Sequence, residues 1–169
     1  MRLPTIIRFQ AIIAGVAAAI LMISSATPLS AAEGSEACSL LTQARVSDVL
    51  GVSVGAGQHV GPIASTCEWA QPGDTSHSGK GVVIDLFGPM GRLTPADRFE
   101  NGKRPVARIT KTPVTGVGDE AYYITTPGLG TGLNVKKGNS VFQIRVYGFA
   151  EEQIKAMEKT LAQDVLAKL

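Results

Sequence analysis

The stretch LNVKKGNSVFQIRVY, residues 133–147, decides the fold. Apolar and polar side chains alternate on both sides of Gly138 and Asn139, which is the pattern of a β-hairpin with a two-residue turn. The alternation directs one set of second-strand side chains to the core: Phe142, Ile144 and Val146. It directs the other set to the opposite face: Gln143, Arg145 and Tyr147. The hairpin thus predicts a sheet with two different faces.

A long helix follows this hairpin, over residues 151–169. Its apolar side chains form one stripe: Ile154, Met157, Leu161, Val165 and Leu169. A partner helix could cover such a stripe. Because the stripe occupies one face only, we expect it to pack on the protein's own sheet.

Shorter elements precede the hairpin. Thr42 and Gly51 have the residue types of an N-cap and a left-handed C-terminal residue, so they bracket a predicted helix. A proline after Thr94 begins a second short helix that ends near Gly102. Further strands are predicted over these ranges: 66–70, 81–87, 108–114 and 121–126. The order predicts an α+β domain with an antiparallel sheet of about five to seven strands, and with N-terminal and C-terminal helices packed on one face.

The first 32 residues have the layout of a secretory signal peptide. Arg2 and Arg8 form a basic start, an apolar run covers residues 11–23, and small residues end at Ala32. About 13 apolar residues are fewer than the roughly 20 that span a bilayer. We therefore expect cleavage, no stable membrane insertion afterwards, and a single domain over residues 33–169 that is periplasmic or secreted.

Two cysteines, Cys38 and Cys67, remain in this exported chain. An oxidising compartment favours a disulfide between them. It would close a loop of about 30 residues and contribute roughly 3–4 kcal/mol in the chain-entropy model. The alternative is a reactive thiol or a metal-binding pair, which no nearby histidine supports. A second alternative is lipidation of Cys38, although Glu36 fits a lipid-attachment box poorly.

The charge balance argues against nucleic acid as a partner. Arg2 and Arg8 fall within the leader, so 14 of the 16 basic residues remain, against 14 acidic ones. Nucleic-acid-binding domains normally carry a clear basic excess.

Catalytic and metal motifs are absent from the sequence. His59 and His77 stand apart from other ligand types, so we predict no metal site, and nothing predicts a cofactor. Asp119 and Glu120 are adjacent acids, but neighbours in an extended chain point to opposite faces. We predict instead a turn in which Asp119 accepts backbone N–H bonds, with Gly116 and Gly118 supplying the conformational freedom.

Three short motifs resemble a family of small bacterial secreted proteins and lipoproteins that have a domain of unknown function. They are Cys-Ser-Leu-Leu-Thr at 38–42 leading to Val-Leu-Gly at 49–51, Cys-Glu-Trp at 67–69, and Val-Thr-Gly-Val-Gly-Asp-Glu-Ala at 114–121. The resemblance implies an extracytoplasmic α+β domain with a Cys–Cys bridge. It implies no reaction, and many relatives carry a lipid that this chain lacks the motif to accept.

The hypothesis that follows is a non-enzymatic binding or interaction module of the bacterial cell envelope. Its possible interaction face consists of outward side chains of the sheet: Tyr147, Arg145, Gln143 and Tyr123. The partner would be a protein, a glycan or a small apolar ligand, and the oligomeric state is left open. The alternatives are an enzyme of unrecognised type that uses Asp119 or Glu120, and an accessory or inhibitor subunit of an exported complex.

Overall fold

The computed structural model describes residues 36–61, 65–74 and 78–169. The predicted leader and His77 lie outside these residues. The helices are α1 (Glu36–Leu40), α2 (Gln43–Leu50), α3 (Pro95–Gly102) and α4 (Glu151–Leu166). The strands are β1 (Gln58–His59), β2 (Thr66–Ala70), β3 (Gly81–Leu86), β4 (Thr110–Val114), β5 (Glu120–Thr126), β6 (Gly130–Lys137) and β7 (Ser140–Tyr147). None of the described helices combines the length and the apolar character needed to cross a membrane.

The strands form one seven-stranded sheet in the order β1-β2-β3-β7-β6-β5-β4. All neighbouring strands are antiparallel. Strands β1 to β3 form one meander and β4 to β7 form another, and the two meet where Val82 pairs with Val146. The predicted α+β class and the antiparallel sheet are confirmed.

Helices α1, α2 and α4 cover one face of the sheet, which we call the inner face. Leu161 and Val165 of α4 are fully buried there, in one cluster with Trp69 and Ile144. Leu169, the last residue of the predicted stripe, is instead 46 % exposed. The predicted disulfide joins Cys38 of α1 to Cys67 of β2 with a Cα–Cα distance of 5.1 Å. The first helix is therefore attached covalently to a strand of the core.

Helix α2 begins and ends as the sequence predicts. The Oγ1 atom of Thr42 accepts a 3.2 Å hydrogen bond from the backbone N–H of Arg45. Gly51 has a φ of +64°, in the left-handed region where glycine is favoured over other residues. Helix α1, which carries Cys38, was not predicted.

Helix α3 packs on the opposite, outer face. Phe99 is fully buried against Tyr122 of β5 and Val141 of β7, and the Phe99 and Tyr122 ring centroids lie 4.9 Å apart. Both sheet residues alternate with core residues of the inner face. Part of the outer face is therefore covered by the protein's own helix, and part remains open.

Candidate functional site

The sheet opens between β6 and β7 at one end. The last pair that joins these strands is Leu133 with Ile144. Beyond it β6 stays paired with β5 as far as Gly130, and β7 stays paired with β3 as far as Tyr147. Residues 130–132 and residues 145–147 are thus no longer paired with each other. We call this place the split.

A cleft of about 440 Å³ lies on the outer face at the split. Its apolar side chains include those of Val60, Val83 and Leu129. The polar side chains that line it from the outer face are those of Thr66, Arg145 and Tyr147. Leu129, in the turn between β5 and β6, is 86 % exposed and forms an apolar rim. The cleft combines an apolar wall with a few polar groups, which is the usual make-up of a small-molecule site.

Arg145 is the charged residue of the cleft lining. Its side chain is 53 % exposed, and its aliphatic part crosses Gly132, where an added Cβ would lie 2.7 Å from Cγ. Nη2 donates a 3.3 Å hydrogen bond to Oδ2 of Asp85. Among the described residues no second acceptor is shown for this guanidinium, which has five N–H donors. Arg145 therefore keeps donors available for a ligand.

The two carboxyl groups that contact Arg145 and Tyr147, those of Asp85 and Glu68, have partners within the protein. Oδ1 of Asp85 accepts a 2.6 Å hydrogen bond from the hydroxyl of Thr66. Glu68 is buried and accepts a 2.8 Å hydrogen bond from the hydroxyl of Tyr147. Arg145 is therefore more exposed than either Asp85 or Glu68.

Three of the four residues of the predicted interaction face lie on the outer face, as the alternation predicts. Tyr147, Arg145 and Gln143 lie on the outer face, where Gln143 donates a 3.3 Å hydrogen bond to Oδ1 of Asn134. Tyr123 was wrongly placed: it lies on the inner face, is 9 % exposed, and donates a hydrogen bond to the backbone oxygen of Lys155 in α4. Its ring packs in the core, because Tyr122 takes the outward position of that strand.

Asp119 has a structural role, but in a different turn from the predicted one. Its Oδ2 accepts a 2.7 Å hydrogen bond from the backbone N–H of Gly138, in the turn between β6 and β7. This bond is the main cause that lowers the pKa of Asp119. Gly116 and Gly118 have φ values of +75° and +60°, so both adopt the left-handed conformation that was expected of them.

Glu120 belongs to an ion-pair cluster with Glu100, Lys103 and Lys136. Nζ of Lys103 lies 2.7 Å from Oε1 of Glu120 and 2.6 Å from Oε2 of Glu100. The hydrogen bond from Lys103 lowers the pKa of Glu120, with a smaller contribution from Lys136. Asp119 and Glu120 thus bind different partners and are held ionised, which suits them poorly to share acid–base work.

A second cavity of about 440 Å³ lies beside these acids, along the turn between β4 and β5. Lys103 and Glu120 line it, but each already pairs with the other. Lys111 and Asp119 line it as well, so two acids stand beside its two lysines. The described lining of the cleft at the split contains Arg145 and no acid, which makes that cleft the better anion site. Among the residues that the structure describes, no group of three metal-ligating side chains comes together, and Nδ1 of His59 lies 3.0 Å from the backbone oxygen of Thr66.

Sequence reasoning missed Glu158, which lies on the inner side of the split. It is fully buried, and its Oε1 accepts a 3.0 Å hydrogen bond from the backbone N–H of Val146, a cleft-lining residue. A signal was available: Ile154, Glu158, Leu161 and Val165 recur at spacings of four, three and four, which place the acid within the apolar stripe.

Comparison with known proteins identifies no relative: no family model, curated protein or solved structure matches the chain significantly. The resemblance to secreted bacterial proteins of unknown function stays a prediction from the three motifs.

Proposed function

We propose that this protein is a non-enzymatic binding module, and that the cleft at the split binds a small molecule with an apolar body and an anionic head. The observation that carries this function is the position of Arg145 in a concave, partly apolar site. Its guanidinium lies in the same cleft as Val60, Val83 and Leu129.

The size of the cleft favours a small molecule. Ligand sites usually measure about 300–1,000 Å³, and this cleft measures about 440 Å³. The exposed side chain of Leu129 offers apolar surface at the rim, where a ligand would cover it. A compact apolar body of one or two rings, or a short chain, fits these dimensions.

Charge favours an anionic head. A guanidinium binds carboxylate, sulfonate or phosphate oxygens through directional, charge-assisted hydrogen bonds. Asp85 offsets part of the charge of Arg145, but Asp85 also accepts from Thr66 and is the less exposed partner of the pair. A head group that approaches from solvent therefore meets the guanidinium.

We also propose that this module acts outside the cytoplasm, in a periplasm or after secretion. The disulfide between Cys38 and Cys67 supports this location, because oxidising compartments favour disulfides. The leader predicted from the sequence over residues 1–32 agrees with it. Mass spectrometry of the native protein tests it. A mass without residues 1–32 and with two hydrogens lost at the cysteines is expected, whereas an intact, reduced chain would contradict export.

The ligand proposal can be tested with two related fluorescent probes. 8-Anilinonaphthalene-1-sulfonate has an apolar body and an anionic head, and N-phenyl-1-naphthylamine is its neutral counterpart. We expect the sulfonate to bind the wild type more tightly, with amide NMR shifts concentrated at Val60, Val83 and Tyr147.

Arg145→Met should lower the affinity for the sulfonate about tenfold or more, because a charge-assisted hydrogen bond contributes roughly 1.5–3 kcal/mol. The affinity for the neutral probe should change little. Lys137→Met is the matched control, since the Lys137 side chain is 54 % exposed and lies outside the cleft lining. Equal affinities of both variants for the sulfonate would overturn the proposed function.

A further inference from the structure

The split is closed from its inner side by a side chain and not by a strand. In β7, the backbone oxygen of Val141 accepts a hydrogen bond from Phe87 on the β3 side. Because successive residues of a strand direct their backbone groups to opposite sides, the N–H of Val146 faces β6. β6 has separated there, and Oε1 of Glu158 accepts this N–H at 3.0 Å. Glu158 thus replaces the missing strand partner.

The second carboxyl oxygen of Glu158, Oε2, is unusual because it is buried and has no hydrogen-bond partner among the residues that the structure describes. The whole residue is 0 % exposed. A protonated carboxyl can be buried in this way at moderate cost. An ionised one would bury a charge with one oxygen unsatisfied, which is far less favourable.

Few charged groups face Glu158. Arg145 of β7 and Lys155 of α4 act on it from a distance, and Tyr123 of β5 is the titratable group on the neighbouring strand. The inner-face side chains of β6 are not titratable: Thr131, Leu133 and Val135. The basic residue that α2 directs to α4, Arg45, is bonded to Asp164.

Burial is the largest influence on this carboxyl and raises the pKa of Glu158 to about 8. The hydrogen bond from Val146, together with Arg145 and Lys155, acts in the opposite direction and is outweighed. Glu158 is therefore neutral around pH 7.

We propose that Glu158 is a proton-dependent stopper of the split, which closes the cleft from below while it is protonated and weakens anion binding in the cleft once it is ionised. The second part rests on the proposed function, because it concerns the same cleft. Ionisation would place a negative charge behind the strand that carries Arg145. It would also draw water towards Oε2. Both effects would weaken binding of an anionic head group in the cleft.

The first experiment needs no ligand. In wild-type protein, the side-chain carboxyl ¹³C signal of Glu158 should titrate near pH 8, together with the amide signal of Val146. Glu158→Gln keeps an oxygen acceptor for Val146 and cannot ionise, so its Val146 signal should not follow that titration. A Glu158 signal that titrates near its ordinary pKa, below pH 5, would overturn the inference.

The stability difference between wild type and Glu158→Gln gives a second measurement. The folded pKa is raised, so the stabilisation by the proton is complete below the unfolded pKa of 4.5 and is lost as pH rises towards about 8. Relative to Glu158→Gln, the unfolding equilibrium constant of the wild type should rise up to tenfold per pH unit within this window and stay level above it. A stability difference that does not change with pH would contradict the proton-dependent role of Glu158.

The probe 8-anilinonaphthalene-1-sulfonate then tests the link to the cleft. Its affinity for the wild type should fall severalfold between pH 7 and pH 9.5, while its affinity for Glu158→Gln should stay nearly constant. An equal fall in both proteins would overturn the link. If the probe binds neither protein at any pH, the proposed function fails. The ¹³C titration still tests whether protonated Glu158 closes the split.

Discussion

The hydroxyl of Tyr147 on β7 donates a 2.8 Å hydrogen bond to Oε1 of Glu68 on β2, across the intervening strand β3. Gly81 of β3 makes this possible, since an added Cβ there would lie 2.3 Å from the Tyr147 hydroxyl oxygen. One tyrosine therefore connects three strands and forms a wall of the cleft.

Tyr147→Phe should destabilise the protein by roughly 1–3 kcal/mol, because it removes a hydrogen bond to a buried carboxylate while keeping the ring. Urea unfolding at pH 7 measures the loss. Lys137→Met, a change at an exposed side chain, should alter the free energy of unfolding by less than about 1 kcal/mol. An unchanged midpoint in Tyr147→Phe would show that the hydrogen bond contributes nothing to stability.

Gly132→Ala should disturb the cleft through Arg145. The new Cβ would lie 2.7 Å from Cγ of Arg145, near the middle of that side chain, so the guanidinium must move. We expect a severalfold lower affinity for 8-anilinonaphthalene-1-sulfonate, and roughly 1–3 kcal/mol lower stability from overpacking. Gly88→Ala is the control, because no atom of the described residues lies within 4 Å of its added Cβ. If both variants bind the probe like wild type, Arg145 is not positioned by Gly132.

The double variant Cys38→Ser/Cys67→Ser should lose about 3–4 kcal/mol of stability, because an open loop has more freedom in the unfolded chain. The two cysteines are separated by 29 positions, which sets this magnitude. Urea unfolding of the variant and of reduced wild type should give matching midpoints. A loss below about 1 kcal/mol would mean that the unfolded chain is already compact around the bridge.

Asp119→Asn should change the acid dependence of stability. The folded pKa of Asp119 is lowered, so its contribution is complete above the unfolded pKa of 3.8 and is lost as pH falls through the lower folded value. The stability advantage of wild type over Asp119→Asn should therefore shrink between about pH 5 and pH 2. Urea unfolding at several pH values measures it, and a constant advantage would contradict the role of the carboxylate in holding Gly138.

Much of the fold could be predicted because local patterns and tertiary packing agree. The alternation around Gly138 and Asn139 gave the central hairpin, and Thr42 and Gly51 gave the limits of α2. Tyr122 and Tyr123 show where such reasoning ends. Alternation requires that they face opposite sides, but both side chains are large and amphipathic, so the pattern does not decide which one faces the inner side. In the structure both are buried, Tyr122 under α3 and Tyr123 under α4.

The candidate site was predictable only in part. Arg145 and Tyr147 follow from the hairpin, whereas the split does not, because the alternation of side chains does not show where the pairing of β6 with β7 ends. Glu158 looks like one of several surface acids of α4 when charge alone is considered. Its position in the apolar stripe becomes significant only when the structure shows that it accepts the backbone N–H of Val146, at the end of β7.

The central strand of the sheet is also the last strand of the chain. β7 joins the two meanders, with residue 146 paired to residue 82. A chain that emerges N-terminus first and still lacks residues 140–147 can pair β1 to β3 and β4 to β6 but cannot connect the two groups, and β3 and β6 are then open edges. Assembly of the whole sheet must wait until nearly all of the protein has been synthesised. During that interval both open edges are able to pair with strands of other chains.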